Sequence, residues 1–254
     1  MAHETALETQ LFPIRPALRF AVRATRFGFG DMTYRAPNPA YGALITYYLA
    51  SAASNTSLQI LDSSGAPVRT IACTGQAGLN RVTWDLRYAP PSGEPAGRRA
   101  AAHLGPQALP GIYTARLLVD GKPFDQKFQL ELDPALGVSK EDLQAEFDTA
   151  RGIVRMQSAV NAALANLRSL RGQHSAEADE LSAELTRPAS LGRSETGPRL
   201  KENLDALFTM IDTANAAPTS AQMRYYDELR AQFEEIMQKV DALAKNPVAE
   251  PGRR

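Results

Sequence analysis

The chain has 254 residues, room for one or two domains at about 100–150 residues each. Its 44% hydrophobic and 22% charged residues suit a globular protein and exclude a collagen-like, disordered or membrane composition. Lysine plus arginine and aspartate plus glutamate both number 28, so no net field draws the chain to nucleic acid or to an anionic membrane, and neither is expected as a partner.

The segment 1–41 reads as linker-like. Met1 to Gln10 is polar and acidic, so no export signal is expected, and no apolar run of the chain approaches the roughly 18–20 residues that membrane insertion requires. Arg15, Arg19, Arg23, Arg26 and Arg35 make the segment basic. Without neighbouring lysines and in a neutral chain they read as a solvated linker or as contacts to an acidic partner. Aromatic rings are dense here, at Phe20, Phe27, Phe29, Tyr34 and Tyr41. Docking or core packing explains them most simply. Phe27, Phe29, Tyr34 and Tyr41 are the candidate partner or sugar contacts, because the apolar face of a pyranose stacks on such rings.

From Leu44 to Leu132 short alternating segments rich in β-branched and aromatic residues are separated by Gly, Pro, Asn and Asp, the pattern of antiparallel β-structure. The predicted strands are Leu44–Leu49, Ser57–Leu61, Val68–Ala72, Asn80–Leu86, Gly111–Val119 and Phe124–Leu132. Six strands in about ninety residues favour a sandwich, assigned to residues 42–134. In the last strand Phe128, Leu130 and Leu132 face one way and Lys127, Gln129 and Glu131 the other, so one face is buried and one wet. Asp62-Ser63-Ser64-Gly65 and Asp120-Gly121 carry hairpin chemistry, glycine supplying a positive φ. Pro90 to Pro110 is rich in Pro, Gly and Ala without periodicity and is expected to be a mobile surface excursion.

Helical periodicity takes over at Ser139, where a helical domain is assigned to residues 139–246, with a disordered tail over 247–254. Ser139 with Glu141 and Asp142 resembles a capping box, and Gly172 is placed to end the first helix. A short helix is expected from Ser175 to Thr186, a break from Pro188 to Pro198, and then a stripe formed by Leu200, Leu204, Leu207 and Ile211. Thr219 is the predicted cap of the last helix, with Gln222 at the reciprocal position. Tyr226, Leu229, Phe233, Ile236, Val240 and Leu243 form one seam over about five turns. Leu143, Phe147, Val154, Leu164 and Leu167 of the first helix can cover it, predicting an antiparallel helical bundle, with helix-mediated self-association as the other use of the seam. The fold class is therefore α+β in two domains: an antiparallel β-sandwich, Ig-like by the resemblance given below, followed by the antiparallel helical bundle.

Chemical motifs are sparse. His3-Glu4 lacks a second histidine at zincin spacing, Gly28-Phe29-Gly30 lacks the third glycine and the helix of a dinucleotide loop, and there is neither a Gly-x-Ser-x-Gly elbow nor a phosphate-binding Gly-Lys-Ser/Thr loop. Cys73 is the one cysteine; with three scattered histidines it makes no Cys/His zinc site, and it reads as an inert buried thiol. His103 and His174 read as solvated. Asp62 and Asp85 could be weighed as a glycosidase carboxylate pair, but Asp62 fits an Asx turn and Asp85 fits ion pairing with Arg81 or Arg87. Trp84 shares a face with Val82 and is the expected centre of the sandwich core. No catalytic residue, cofactor or metal ligand is assigned.

Several strings carry a resemblance: Gly42-Ala43-Leu44-Ile45-Thr46-Tyr47-Tyr48-Leu49, Ile60-Leu61-Asp62 before Gly65, Val68-Arg69-Thr70-Ile71, Ala77 through Arg87 around Trp84, and Pro110-Gly111-Ile112-Tyr113-Thr114-Ala115-Arg116-Leu117. Together they resemble the Ig-like domain of flagellar hook-capping proteins. Over most of the chain the arrangement is similar to the C-terminal region of bacterial sortilin-like or neuraminidase-repeat β-propeller proteins, often labelled glycosyl hydrolases. There Leu11-Phe12-Pro13 through Arg19-Phe20 would match the linker leaving the propeller. The resemblance implies a non-catalytic accessory module that packs against a β-propeller or another envelope protein, from an exported parent. Its alternatives are a carbohydrate-binding or glycoside-hydrolase-associated module and an appendage-assembly scaffold.

Overall fold

The computed structural model describes residues 8–21, 40–93, 104–172, 174–187 and 197–245. Among them the order is β1 (Gln10–Leu11), β2 (Ala17–Arg19), β3 (Ala43–Leu49), β4 (Thr56–Leu61), β5 (Pro67–Ala72), β6 (Gly78–Trp84), β7 (Gly111–Val119), β8 (Lys122–Leu132), a 3-10 turn at Pro134–Leu136, α1 (Lys140–Leu170), α2 (Ser175–Leu185), α3 (Leu200–Asp212) and α4 (Ser220–Lys245). The chain is thus of the α+β class. It divides into two compact units, residues 1–89 with 107–137 and residues 90–106 with 138–254.

In the first unit the strands form a three-stranded sheet ordered β1-β3-β6 and a five-stranded sheet ordered β2-β8-β7-β4-β5, curled as a half-barrel. All pairings are antiparallel except β2 with β8. Period-2 alternation dictates the core: Ala43, Ile45, Tyr47 and Leu49 point inward from β3, and Tyr113, Ala115 and Leu117 from β7, each buried. Trp84 is completely buried, its ring centroid 5.1 Å from Tyr113 and 6.0 Å from Phe128. Its indole N–H donates to the Arg87 carbonyl at 2.8 Å, so the ring enters the core with its one polar atom satisfied. The β7–β8 hairpin turns on Asp120 and Gly121, both at positive φ, as a two-residue connection between right-twisted strands requires. Asp62 closes the β4–β5 turn: its carboxylate accepts from the Ser64 and Ala66 amides at 2.9 and 3.0 Å and from the Ser64 hydroxyl at 2.6 Å. Those bonds, led by the Ser64 hydroxyl, hold the carboxyl below its ordinary value.

Each predicted strand is present, with two corrections. The fourth runs Gly78–Trp84 and stops before Leu86, whose φ of 59° leaves the extended region. The supposed linker holds β1 and β2, and buries Leu11, Ala17 and Arg19. Strands of two and three residues are too short to show alternation, so the sequence carries no signal for them. Arg19, expected in solvent, is buried with its guanidinium donating to the Ala108 carbonyl at 3.3 Å. The excursion from Pro90 to Pro110 is not loose at its ends. Ser92 exchanges hydrogen bonds with Ser158 and Asn161 of α1, Gln107 bridges Arg87, and the Ala108 amide donates to Leu86.

In the second unit α1, α3 and α4 contribute Ile153, Val160, Leu167, Leu204, Leu207, Leu229, Ile236 and Val240 to one apolar core, closed by Ala178 and Leu185 of α2. Ser139 caps α1 by accepting from the Asp142 amide at 3.0 Å. Thr219 and Gln222 form the reciprocal box expected before α4, at 3.2 and 2.8 Å. Of the predicted α4 seam, Leu229, Ile236 and Val240 are buried and Tyr226, Phe233 and Leu243 pack against them half-buried. No described helix is long and apolar enough to cross a membrane.

Candidate functional site

The first unit puts an unusual set of side chains on the outside of its three-stranded sheet. Because Ala43, Ile45, Tyr47 and Leu49 occupy the core face of β3, Leu44, Thr46 and Tyr48 stand on the other. Register sets Leu44 opposite Thr83, Thr46 opposite Arg81 and Tyr48 opposite Leu79 on β6, with Gln10 of β1 flanking Tyr48. Leu44 is 50% and Leu79 64% exposed, large values for leucines in regular strands. Arg81 is exposed between them, and no ion pair to it exists among the described residues. The face is therefore apolar at both ends and cationic in the middle.

Of the four candidate contact residues, Phe27, Phe29 and Tyr34 lie outside the described residues. Tyr41 is half-buried against the core of the first unit, and the Phe20 ring meets it edge-on at 5.0 Å and 79°. Asp85 pairs with Arg69 at 3.8 Å and accepts from the Arg87 amide at 3.3 Å. The expected ion-pair partners Arg81 and Arg87 are thus replaced by an arginine from β5, a neighbour that only the tertiary fold supplies. Cys73 is half-buried, and burial pushes its thiol above the ordinary value, favouring the protonated form. Burial, reinforced by Cys73, also raises the Tyr47 phenol to about 12, and its hydroxyl donates to the Thr74 carbonyl at 2.7 Å. Neither group is poised for proton transfer near neutrality.

The second unit has a cleft of about 570 Å³ lined by His174, Glu177, Glu180, Leu181, Glu184, Lys239, Ala242 and Leu243. Lys239 reaches Glu184 at 3.3 Å and Glu235 at 3.1 Å, and those two carboxylates raise its ammonium above the ordinary value. The result is a solvent-exposed ionic rim in which Lys239 is held between two carboxylates. His174 lines this cleft and is only half-exposed, where full solvation is expected from its place near a helix end. Among the described residues no three His, Cys, Asp or Glu side chains gather to hold a metal ion.

The sequence does not single out Leu44, Leu79 and Arg81. Their outward alternation is visible in the strand patterns, but which strand lies at a sheet edge depends on the strand order, which residue spacing does not encode.

No protein-family model matches the chain, and no curated protein matches it. Among solved structures, the crystal structure of CopC from Methylosinus trichosporium OB3b is similar at 16% sequence identity, covering 50% of this chain and 94% of that one, with a TM-score of 0.24.

Proposed function

We propose that the chain is a non-catalytic accessory module that binds another protein, an Ig-like β-sandwich joined to an antiparallel helical bundle. The observation that carries this reading is the outer face of β3 and β6, where Leu44 and Leu79 stand in solvent around Arg81 while Ile45, Leu49 and Trp84 of the same strands are buried. Exposed large apolar side chains arranged around a charge on a rigid sheet are the ordinary makings of a contact surface. The single core shared by both sheets supports the sandwich, and the motifs around Trp84 and Tyr113 support kinship with the hook-capping Ig-like domain and with the C-terminal region of sortilin-like propeller proteins. On that kinship the partner is a β-propeller or another envelope protein of an exported assembly.

The test is capture of partners by the intact chain after crosslinking in its source cells, compared with a Leu44→Ser, Leu79→Ser variant. The reading expects a partner that the variant retains at least about tenfold less well. Absence of any protein partner, with the purified chain an inert monomer, would sink it. Retardation of the chain in gels containing polysaccharide, or release of reducing sugar, would favour the carbohydrate-associated alternative instead.

A further inference from the structure

Two sheets present four edges, and three of them are blunted. β1 and β2 are two and three residues long. β5 opens with Pro67 and is overlaid by the segment after β6, whose Ala89 amide donates to the Val68 carbonyl at 3.0 Å while Arg69 holds the Tyr88 carbonyl at 2.9 Å. The fourth edge, β6, is seven residues long and among the described residues pairs with β3 alone.

Which of its backbone groups are free follows from one bond. The Phe12 amide donates to the Thr46 carbonyl at 3.1 Å, so Thr46 directs its peptide groups toward β1. In an antiparallel ladder direction alternates, so Ile45 and Tyr47 address β6, where they face Val82 and Asn80. Leu79, Arg81 and Thr83 therefore turn their N–H and C=O groups away from β3, toward the outer edge of the sheet, where no described strand pairs with them. An open row of donors and acceptors is a template for another strand, which is why proteins ordinarily cover such edges.

We infer that β6 is a docking edge for an extended segment of the protein partner, which adds as a fourth strand and sets a carboxylate opposite Arg81 between two apolar side chains facing Leu79 and Thr83. The inference rests on the accessory-module reading and names its contact. Charge selects the occupant. A second copy pairing antiparallel about Arg81 would oppose two guanidiniums, which destabilises a cross-strand pair, whereas a carboxylate there is favourable. The apolar positions at spacing of two follow from the sheet period.

The probe is a blocked peptide with the core Val-Thr-Glu-Thr-Val, titrated into the nitrogen-15-labelled full chain while amide exchange is followed by NMR. Exchange at Leu79, Arg81 and Thr83 should slow selectively. Arg81→Glu should weaken that peptide about tenfold and transfer the preference to the same peptide carrying Lys in place of Glu. Thr83→Pro, which removes an outward N–H without removing a ladder bond, should abolish the effect with the circular dichroism spectrum unchanged. Protection elsewhere, no protection at saturating peptide, or a concentration-dependent dimer protecting the same amides would overturn the inference. So would a crosslinked partner retained equally by Arg81→Glu and Thr83→Pro. That last result leaves the accessory-module reading standing, whereas the absence of any partner removes both.

Discussion

Trp84 shows how much a single side chain settles. It is the one tryptophan of the chain, it is fully buried, and Tyr113 and Phe128 pack on it. Trp84→Ala is expected to cost about 3–5 kcal/mol, read from the urea midpoint of the far-ultraviolet dichroism of the β-structure. Gly42 is the second sensitive position. Its φ of 128° suits glycine alone, and a β-carbon there would run into the Trp84 carbonyl. Gly42→Ala should therefore destabilise by more than about 2 kcal/mol, reported by Trp84 fluorescence during denaturation. The roles of Trp84 and Asp62 were legible because each depends on its own strand or turn: alternation places the indole inward, and an Asx turn uses the next four residues. Arg19 and Asp85 were not, since the Ala108 carbonyl and the Arg69 guanidinium reach them from distant parts of the chain.

At the scale of elements, caps carry measurable weight. Thr219→Ala removes the acceptor for the Gln222 amide and should lower stability by about 1 kcal/mol, with fraying at the start of α4 detectable as faster amide exchange there. Glu202 links α2 to α3 by accepting from the Thr186 hydroxyl and from the Arg187 and Arg199 amides. Burial pushes its carboxyl upward, but the hydrogen bonds from Arg199, Thr186 and Arg187 outweigh that, and the group sits below its ordinary value. A carboxyl depressed in the folded state stabilises above its unfolded value of about 4.3 and loses that contribution as pH falls through the folded one. The melting temperature of the helical signal should thus drop on acidification from about pH 5 to about pH 3, and Glu202→Gln should flatten that slope while lowering stability at neutral pH. An unchanged slope would show that Glu202 titrates alike in both states. Helix positions were legible in the sequence because 3.6-residue periodicity and caps are local. β1 and β2 escaped because so few residues cannot display a period, and the free edge of β6 escaped because strand order is a property of the assembled sheet.

At the scale of the whole molecule, most large apolar residues among those described lie in two separate cores, while Leu44 and Leu79 are among the few left exposed, together with Leu18, Phe20, Leu104, Ile112 and Met210. Stability does not explain that placement, since a leucine moved from water into a core contributes about 1.5–3 kcal/mol. Binding does. Replacing both leucines with serine should leave the melting temperature within about 3 °C of the parent, because neither side chain is buried in the free protein. The same variant separates folding from function. The most direct measurement is the mass of the native complex formed by the full chain with its crosslink-identified partner, determined by light scattering beside the Leu44→Ser, Leu79→Ser protein. The account predicts a defined complex with the parent and the free monomer with the variant. Equal complex formation by both, or a parent chain that stays alone, would contradict it.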